Sequence, residues 1–352
     1  MVTTKNVDEK IGITKLPKDS PLRQQKLKAW QPIPTLYTVI PFTFFIGIIF
    51  IPLGGILLNE SINVKEIIID YTDCLNNLIC EKNFFLNDDF NGDVYFFYQL
   101  GNYYQNVRRY QKSLNEYQLI GSNIYDVSGC DSYSRENEND PTSRVIYPCG
   151  AIANSMFSDK FELIYKYREQ PNLLWPSIDI TVPWTYKGLL IEGDRVRLFK
   201  NPPYNPSSSL CEVLSNTVRP KKWTVDVCML DVTNPQNNGV QNFDFIIWMT
   251  TAGLNNFRKP YRKLLRTIPQ LSSGLPRGEY VLKITNNYDV LSFNGTKQFA
   301  ISTTSWIGGK NSFFGIAFLT VAGICIFLGS VLLIIHYKFG HSLEEIGNID
   351  NM

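Results

Sequence analysis

The sequence predicts a membrane protein in which two transmembrane helices flank a mainly antiparallel β-sandwich ectodomain with a few short helices. Three observations carry this. The runs 36–58 and 313–335 each hold 23 residues without a charged side chain. Between them, short β-branched and aromatic runs alternate with Gly, Pro and Asn clusters, the pattern of strands and turns. Six of the seven cysteines lie in that middle block, as an oxidising compartment requires of disulfides.

Composition sets the outer bounds. With 352 residues, 44% hydrophobic and 19% charged, the chain is too apolar for disorder and too mixed for a polytopic transporter. A formal charge of +2 gives no basic excess, which argues against a nucleic-acid partner.

Residues 1–35 are polar and carry seven Lys and Arg against three acids, a balance of +4. Such a flank is retained in the cytoplasm, so this segment reads as a cytoplasmic tail. As a helix, 36–58 reaches ~34 Å, enough to cross a ~30 Å hydrocarbon core with some tilt. It is too long for a signal-peptide core and follows a polar tail, so it reads as an uncleaved signal anchor. Pro41 and Pro52 interrupt it, each freeing a carbonyl that neighbouring protein or local adjustment must satisfy. The block 59–312 is then extracytoplasmic, 313–335 returns across the membrane, and 336–352 forms a cytoplasmic C-terminal tail. In the second span Gly315 and Gly323 stand eight residues apart on nearly one face, where a partner helix can approach closely.

Within the block, 63–71, 93–99, 161–167, 195–199, 223–230, 279–285 and 297–302 read as strands. Residues 100–114 place Leu100, Tyr103, Tyr104, Val107, Tyr110 and Leu114 on one face, which reads as an amphipathic helix. A second short helix is expected over 150–157. Cysteine spacing favours near neighbours, Cys74 with Cys80, Cys130 with Cys149 and Cys211 with Cys228, although counting leaves the connectivity open. The sequon at Asn294 is the expected glycan acceptor, while that at Asn59 abuts the membrane.

Chemistry is conspicuously sparse. Both histidines, His336 and His341, lie at or beyond the end of the second apolar run. The middle block therefore cannot build a Ser-His-Asp or Cys-His nucleophile or a His-ligated metal site. No phosphate loop is present, since Gly308-Gly309-Lys310-Asn311 lacks the spacing and the hydroxyl. No cofactor is implied, and the expected function is non-catalytic interaction.

The ordered segments Arg23-Gln24-Gln25-Lys26-Leu27-Lys28-Ala29-Trp30-Gln31-Pro32, Asn102-Tyr103-Tyr104-Gln105-Asn106, Arg108-Arg109-Tyr110, Pro148-Cys149-Gly150-Ala151-Ile152-Ala153-Asn154-Ser155-Met156-Phe157, Phe245-Ile246-Ile247-Trp248-Met249 and Ser302-Thr303-Thr304-Ser305-Trp306-Ile307-Gly308-Gly309-Lys310-Asn311 carry a resemblance. With them, the chain resembles the ligand-effect-modulator and cell-division-control family, the non-catalytic beta subunits of type-IV P-type ATPase phospholipid flippases. The resemblance implies a heterodimer with the ATPase catalytic subunit, which moves phospholipid to the cytoplasmic leaflet. It also implies a role for the beta subunit in folding, endoplasmic reticulum exit and activity, on a route to Golgi, endosome or plasma membrane. Cys130 and Cys149 occupy the family's bridged position, a second bridge falls in the Cys74–Cys80 region, and Cys211 with Cys228 is less general. The family's tail contacts the cytoplasmic face of the ATPase. Accordingly, Trp30 and Leu27 are expected to dock on the partner, with Arg23, Lys26 and Lys28 orienting them.

Two readings from other classes stay open on residue types alone. A two-span ligand-gated channel subunit would have only Thr320, Cys325 and Ser330 as modest polar pore candidates. A carboxylate-based ectoenzyme would rest on pairs such as Asp88-Asp89, which are usually solvated loop residues.

Overall fold

The structure, a computed structural model, describes residues 20–23, 25–27, 35–76, 78–168, 178–190, 193, 197–205 and 208–340. Lys28 and Trp30 lie outside the described residues. Two compact units emerge, one comprising Gly55–Ile316 and the other the described residues up to Gly54 and from Ala317.

In chain order the elements are α1 (Leu36–Asn63), β1 (Glu66–Asp70), β2 (Ile79–Leu86), β3 (Phe90–Asn91), β4 (Val94–Gly101), α2 (Arg108–Lys112), α3 (Glu116–Leu119), β5 (Val145–Ile146), α4 (Ala151–Asn154) and β6 (Lys160–Tyr167). They continue with β7 (Ile178–Thr181), β8 (Trp184–Thr185), α5 (Leu210–Val213), β9 (Thr217–Val218), α6 (Phe243–Met249), β10 (Phe257–Leu264), β11 (Gly274–Leu275), β12 (Gly278–Thr285), β13 (Thr296–Thr303) and α7 (Phe313–Phe339).

The larger unit is mostly antiparallel sheet with few helices. One sheet runs β1-β13-β4-β10-β8 and another β2-β12-β6-β7. Period-two alternation explains β4: Val94, Phe96, Tyr98 and Leu100 are buried while the residues between them are not. The two sheets meet through aromatic side chains. Phe161 of β6 lies 4.7 Å from Phe299 of β13 and 5.1 Å from Tyr261 of β10, ring centroid to centroid.

Several segments depart from what the sequence predicts. Leu100 does not begin a helix; it pairs in the ladder with Lys297 and Phe257, and the chain turns at Asn102, whose φ is +58°. Only Arg108–Lys112 is helical. Two long ladders on β4 outweigh the local helical periodicity of 100–114. Residues 223–230 form no strand, because Cys228 is bridged and Val227–Met229 closes into a 3₁₀ turn. Of 195–199, Arg197 and Leu198 are helical, and residues 195–196 lie outside the described residues.

The smaller unit pairs α1 with α7, helices of 28 and 27 residues that are long and apolar enough to cross a membrane. Small residues set their approach. A Cβ on Gly47 would lie 2.6 Å from Ile326, and one on Gly329 would lie 2.9 Å from Thr43 Oγ1 and 3.1 Å from Phe44. Phe50 and Phe318 add an edge-to-face contact at 4.9 Å.

Candidate interaction surfaces

A buried ion pair fastens the interior of the larger unit. Lys297 Nζ donates to Asp159 Oδ2 at 2.8 Å, and both side chains are fully shielded from solvent. A charge in such a place is tolerated only when paired and hydrogen-bonded. Here every group is met: Lys297 also donates to Tyr288 O at 2.7 Å and to Asn286 Oδ1. Asp159 accepts from Tyr71 OH at 3.1 Å and from the backbone N–H groups of Asn287 and Tyr288, each at 2.6 Å. Burial, reinforced by the neighbouring carboxylate, holds the Tyr71 phenol well above its ordinary value, so it stays a donor.

Lys259 is the second buried cation, and it has a different kind of partner. Its Nζ donates to the carbonyls of Ile247, Trp248 and Thr250 at 3.0, 2.8 and 2.6 Å, closing the C-terminal end of α6, where the helix dipole favours a cation. Burial pushes its pKa down to about 7.

The segment after Cys149 is a structural junction. Gly150 has φ +103°, and a Cβ there would lie 2.1 Å from the Ser113 carbonyl oxygen, so glycine is required. The four-residue helix α4 has its carbonyls capped by two tryptophans: Trp248 Nε1 donates to Ile152 O and Trp223 Nε1 to Ala153 O, both at 2.8 Å. Gln118 joins the junction by accepting from Cys149 N at 2.8 Å and donating to Ile124 O at 3.0 Å.

Three disulfides are present, Cys74–Cys80, Cys130–Cys149 and Cys211–Cys228, with Cα separations of 5.9, 5.7 and 5.2 Å. In the chain-entropy view each of the longer two loops contributes ~3 kcal/mol. Cys211–Cys228 also borders an open cleft of about 660 Å³, flanked by the ion pairs Arg219–Asp226 and Arg144–Glu136. Cys325 is a free thiol in α7.

The residues singled out from sequence distribute as follows. Leu27 is exposed beyond a turn in which Lys26 N donates to Pro21 O at 2.7 Å, and Arg23 lies in that turn. Asn294 is exposed, with left-handed backbone at φ +50°. Gly315 and Gly323 have different surroundings: a Cβ on Gly315 would lie 2.7 Å from Leu58 of α1, whereas Gly323 has nothing within 4 Å. The glycines that face the other helix in the smaller unit, Gly47 and Gly329, escaped the sequence reading. A search for small residues in both apolar runs at once would have found them. Among the described residues no group of three or more His, Cys, Asp or Glu converges as a metal cluster.

Over residues 57–342 the chain matches the LEM3 (ligand-effect modulator 3) family / CDC50 family. It belongs to that family. The relatives agree along nearly the whole length. Cell cycle control protein 50A of Mus musculus is 44% identical over 94% of this chain and 91% of its own. Cell cycle control protein 50B of Homo sapiens is 37% identical over 92% and 94%, and ALA-interacting subunit 3 of Arabidopsis thaliana is 33% identical over 92% and 87%. CDC50 membership places the junction after Cys149 and the α6 segment inside the matched region, so the buried network described above is part of the shared domain.

Proposed function

We propose that this chain is the accessory, non-catalytic subunit of a phospholipid flippase complex, and that its partner is the catalytic subunit of a type-IV P-type ATPase. The single observation that carries this is CDC50 membership along almost the full chain. An Arabidopsis relative whose name describes an interacting subunit supports it. On this reading α1 and α7 span the bilayer, the tails 1–35 and 336–352 are cytoplasmic, and 59–312 is extracytoplasmic and glycosylated at Asn294. Its three bridges suit an oxidising compartment. The subunit promotes folding of the ATPase, its exit from the endoplasmic reticulum and its activity, on the way to Golgi, endosome or plasma membrane.

The test is affinity purification of the full-length chain from its native membranes, followed by lipid uptake measured with and without it. A large P-type ATPase should co-purify in equal amounts, and removing this chain should abolish uptake of labelled phospholipid. Recovery of the chain alone, with undiminished uptake in its absence, would falsify the proposal.

A further inference from the structure

Among the described tryptophans Trp306 stands apart. Trp223 and Trp248 are buried donors and Trp184 packs on Phe96 and Tyr261, whereas Trp306 is 76% exposed and its neighbour Ile307 is 41% exposed. Both occupy the tip of a tight turn. Ser305 N donates to Gly308 O at 2.8 Å and Gly308 N to Ser305 O at 3.0 Å, while the Ser305 hydroxyl accepts from Ile307 N at 3.3 Å. Gly308 has φ +128°, which other residues rarely adopt. Ordering two large apolar side chains outward in this way opposes the hydrophobic effect unless something apolar receives them.

The segment that follows is held within the same unit. A Cβ on Gly309 would lie 3.4 Å from Arg258 Nη2. Asn311 N donates to Ser61 Oγ at 3.0 Å, and the Ser61 and Ser312 hydroxyls lie 3.3 Å apart. Asn311 Oδ1 accepts from Phe313 N at 3.0 Å, which starts α7. Trp306 precedes Phe313 by seven residues, so the turn lies within ~25 Å of the helix start even if fully extended. At that start Phe313, Phe314 and Ile316 are all exposed. At about 100° per residue they point around the helix rather than to one side. A protein partner covers one face; a lipid solvent meets all of them.

We infer that the Ser305–Gly308 turn is an interfacial membrane anchor, with Trp306 and Ile307 inserted at the extracytoplasmic lipid headgroup level beside the start of α7. The inference rests on the reading that α1 and α7 span the bilayer. An indole suits this layer because its ring is apolar and its N–H is wet, and the exposed Lys310, four residues on, supplies an ammonium that suits lipid phosphate. The turn fixes the depth at which the sheet domain stands on the membrane.

The test reconstitutes the full-length chain with its co-purifying partner in phosphatidylcholine nanodiscs containing lipid brominated either high on the acyl chain or near its end. The Trp306 signal is the difference between wild type and Trp306→Phe, and Phe327→Trp in the Trp306→Phe background reports a position deep in α7. Shallow bromines should quench the Trp306 component by roughly half or more, as expected of an interfacial indole, and aqueous iodide should quench it far less. Phe327→Trp should respond most to the deep bromines. Quenching of Trp306 by iodide but not by bromolipid overturns the inference, as does protection from both, which would mean that the partner covers the indole. If the Phe327→Trp reporter is also blind to every bromolipid, the spanning reading fails as well. If that reporter is quenched and Trp306 is not, only the anchor fails.

Discussion

Lys297 and Asp159 carry opposite charges in a place where neither has water, so each depends on the other. Replacing a single partner strands the remaining charge, which costs ~3–5 kcal/mol, whereas replacing both by apolar groups removes the penalty along with the attraction. Lys297→Met and Asp159→Asn alone should therefore each lower the denaturation midpoint sharply, and the double variant should recover part of the loss. Additive losses in that double-mutant cycle would show the pair to be uncoupled. Lys259 makes a prediction about pH. Its folded pKa, lowered to about 7, lies below the ordinary lysine value, so between the two the unfolded chain binds more protons. Stability should consequently rise with pH across that window, by at most ~1.4 kcal/mol per unit from this group, and the contribution is fully absent below about 7. Lys259→Met removes the titration. Comparing urea midpoints at mildly and strongly alkaline pH, the wild type should gain on the variant, and parallel pH profiles would refute the assignment. Neither residue advertised itself in the sequence. Lys297 read only as the first residue of a strand and Lys259 was not singled out, because burial of a cation is decided by what folds over it.

At the level of elements, legibility followed the alternation of apolar side chains. β6 and β12 were readable because one face is apolar and the other largely polar, and β1, β4 and β13 because β-branched or aromatic residues run through them. β2 and β10 were not: Lys82 in β2 and Lys259 in β10 stand in the same alternation as the more buried residues and break the apolar pattern, and Pro260 sits at a register shift in β10, a feature that argues against a strand interior. The expected helix over 100–114 failed for the opposite reason, since its apolar spacing straddles a strand, a loop and one short helix. The helix pair yields a sharper contrast. Gly47→Leu should disrupt the packing of α1 on α7, because its first side-chain carbon already meets Ile326 and Ala322. Gly323→Leu has open space around it and should leave the chain folded while weakening recovery of the partner. Proteolysis of the isolated chain and co-purification from membranes separate the two effects. Equal recovery of partner with Gly323→Leu and wild type would remove that face from the proposed interface.

For the molecule as a whole, the tail predicts that activity and assembly come apart. Leu27→Ala with Trp30→Ala should leave the complex intact, since the helices and the sheet domain remain, yet lower lipid-stimulated ATP hydrolysis. Should neutralising Arg23, Lys26 and Lys28 abolish hydrolysis while the apolar pair proves silent, the tail acts by touching anionic lipid. A different consequence follows from the pairing of Glu66–Asp70 with residues 298–302, which joins the first strand to the last. β13 lies between β1 and β4, so the edge strand β1 has no place in the five-stranded sheet until most of the chain has been synthesised. Closing so long a loop adds little to the equilibrium cost, which grows only logarithmically with length, but high contact order slows the approach to the native state. Until β13 emerges, β1 and β4 thus each present an unpaired edge that other chains can pair with. The fold thereby times its own completion: a ribosome-stalled chain ending at Asn294 should remain protease-sensitive throughout the sheet, while one stalled after Met352 and released from the exit channel should become resistant. Resistance already at Asn294 would mean that the last strand is dispensable for closure.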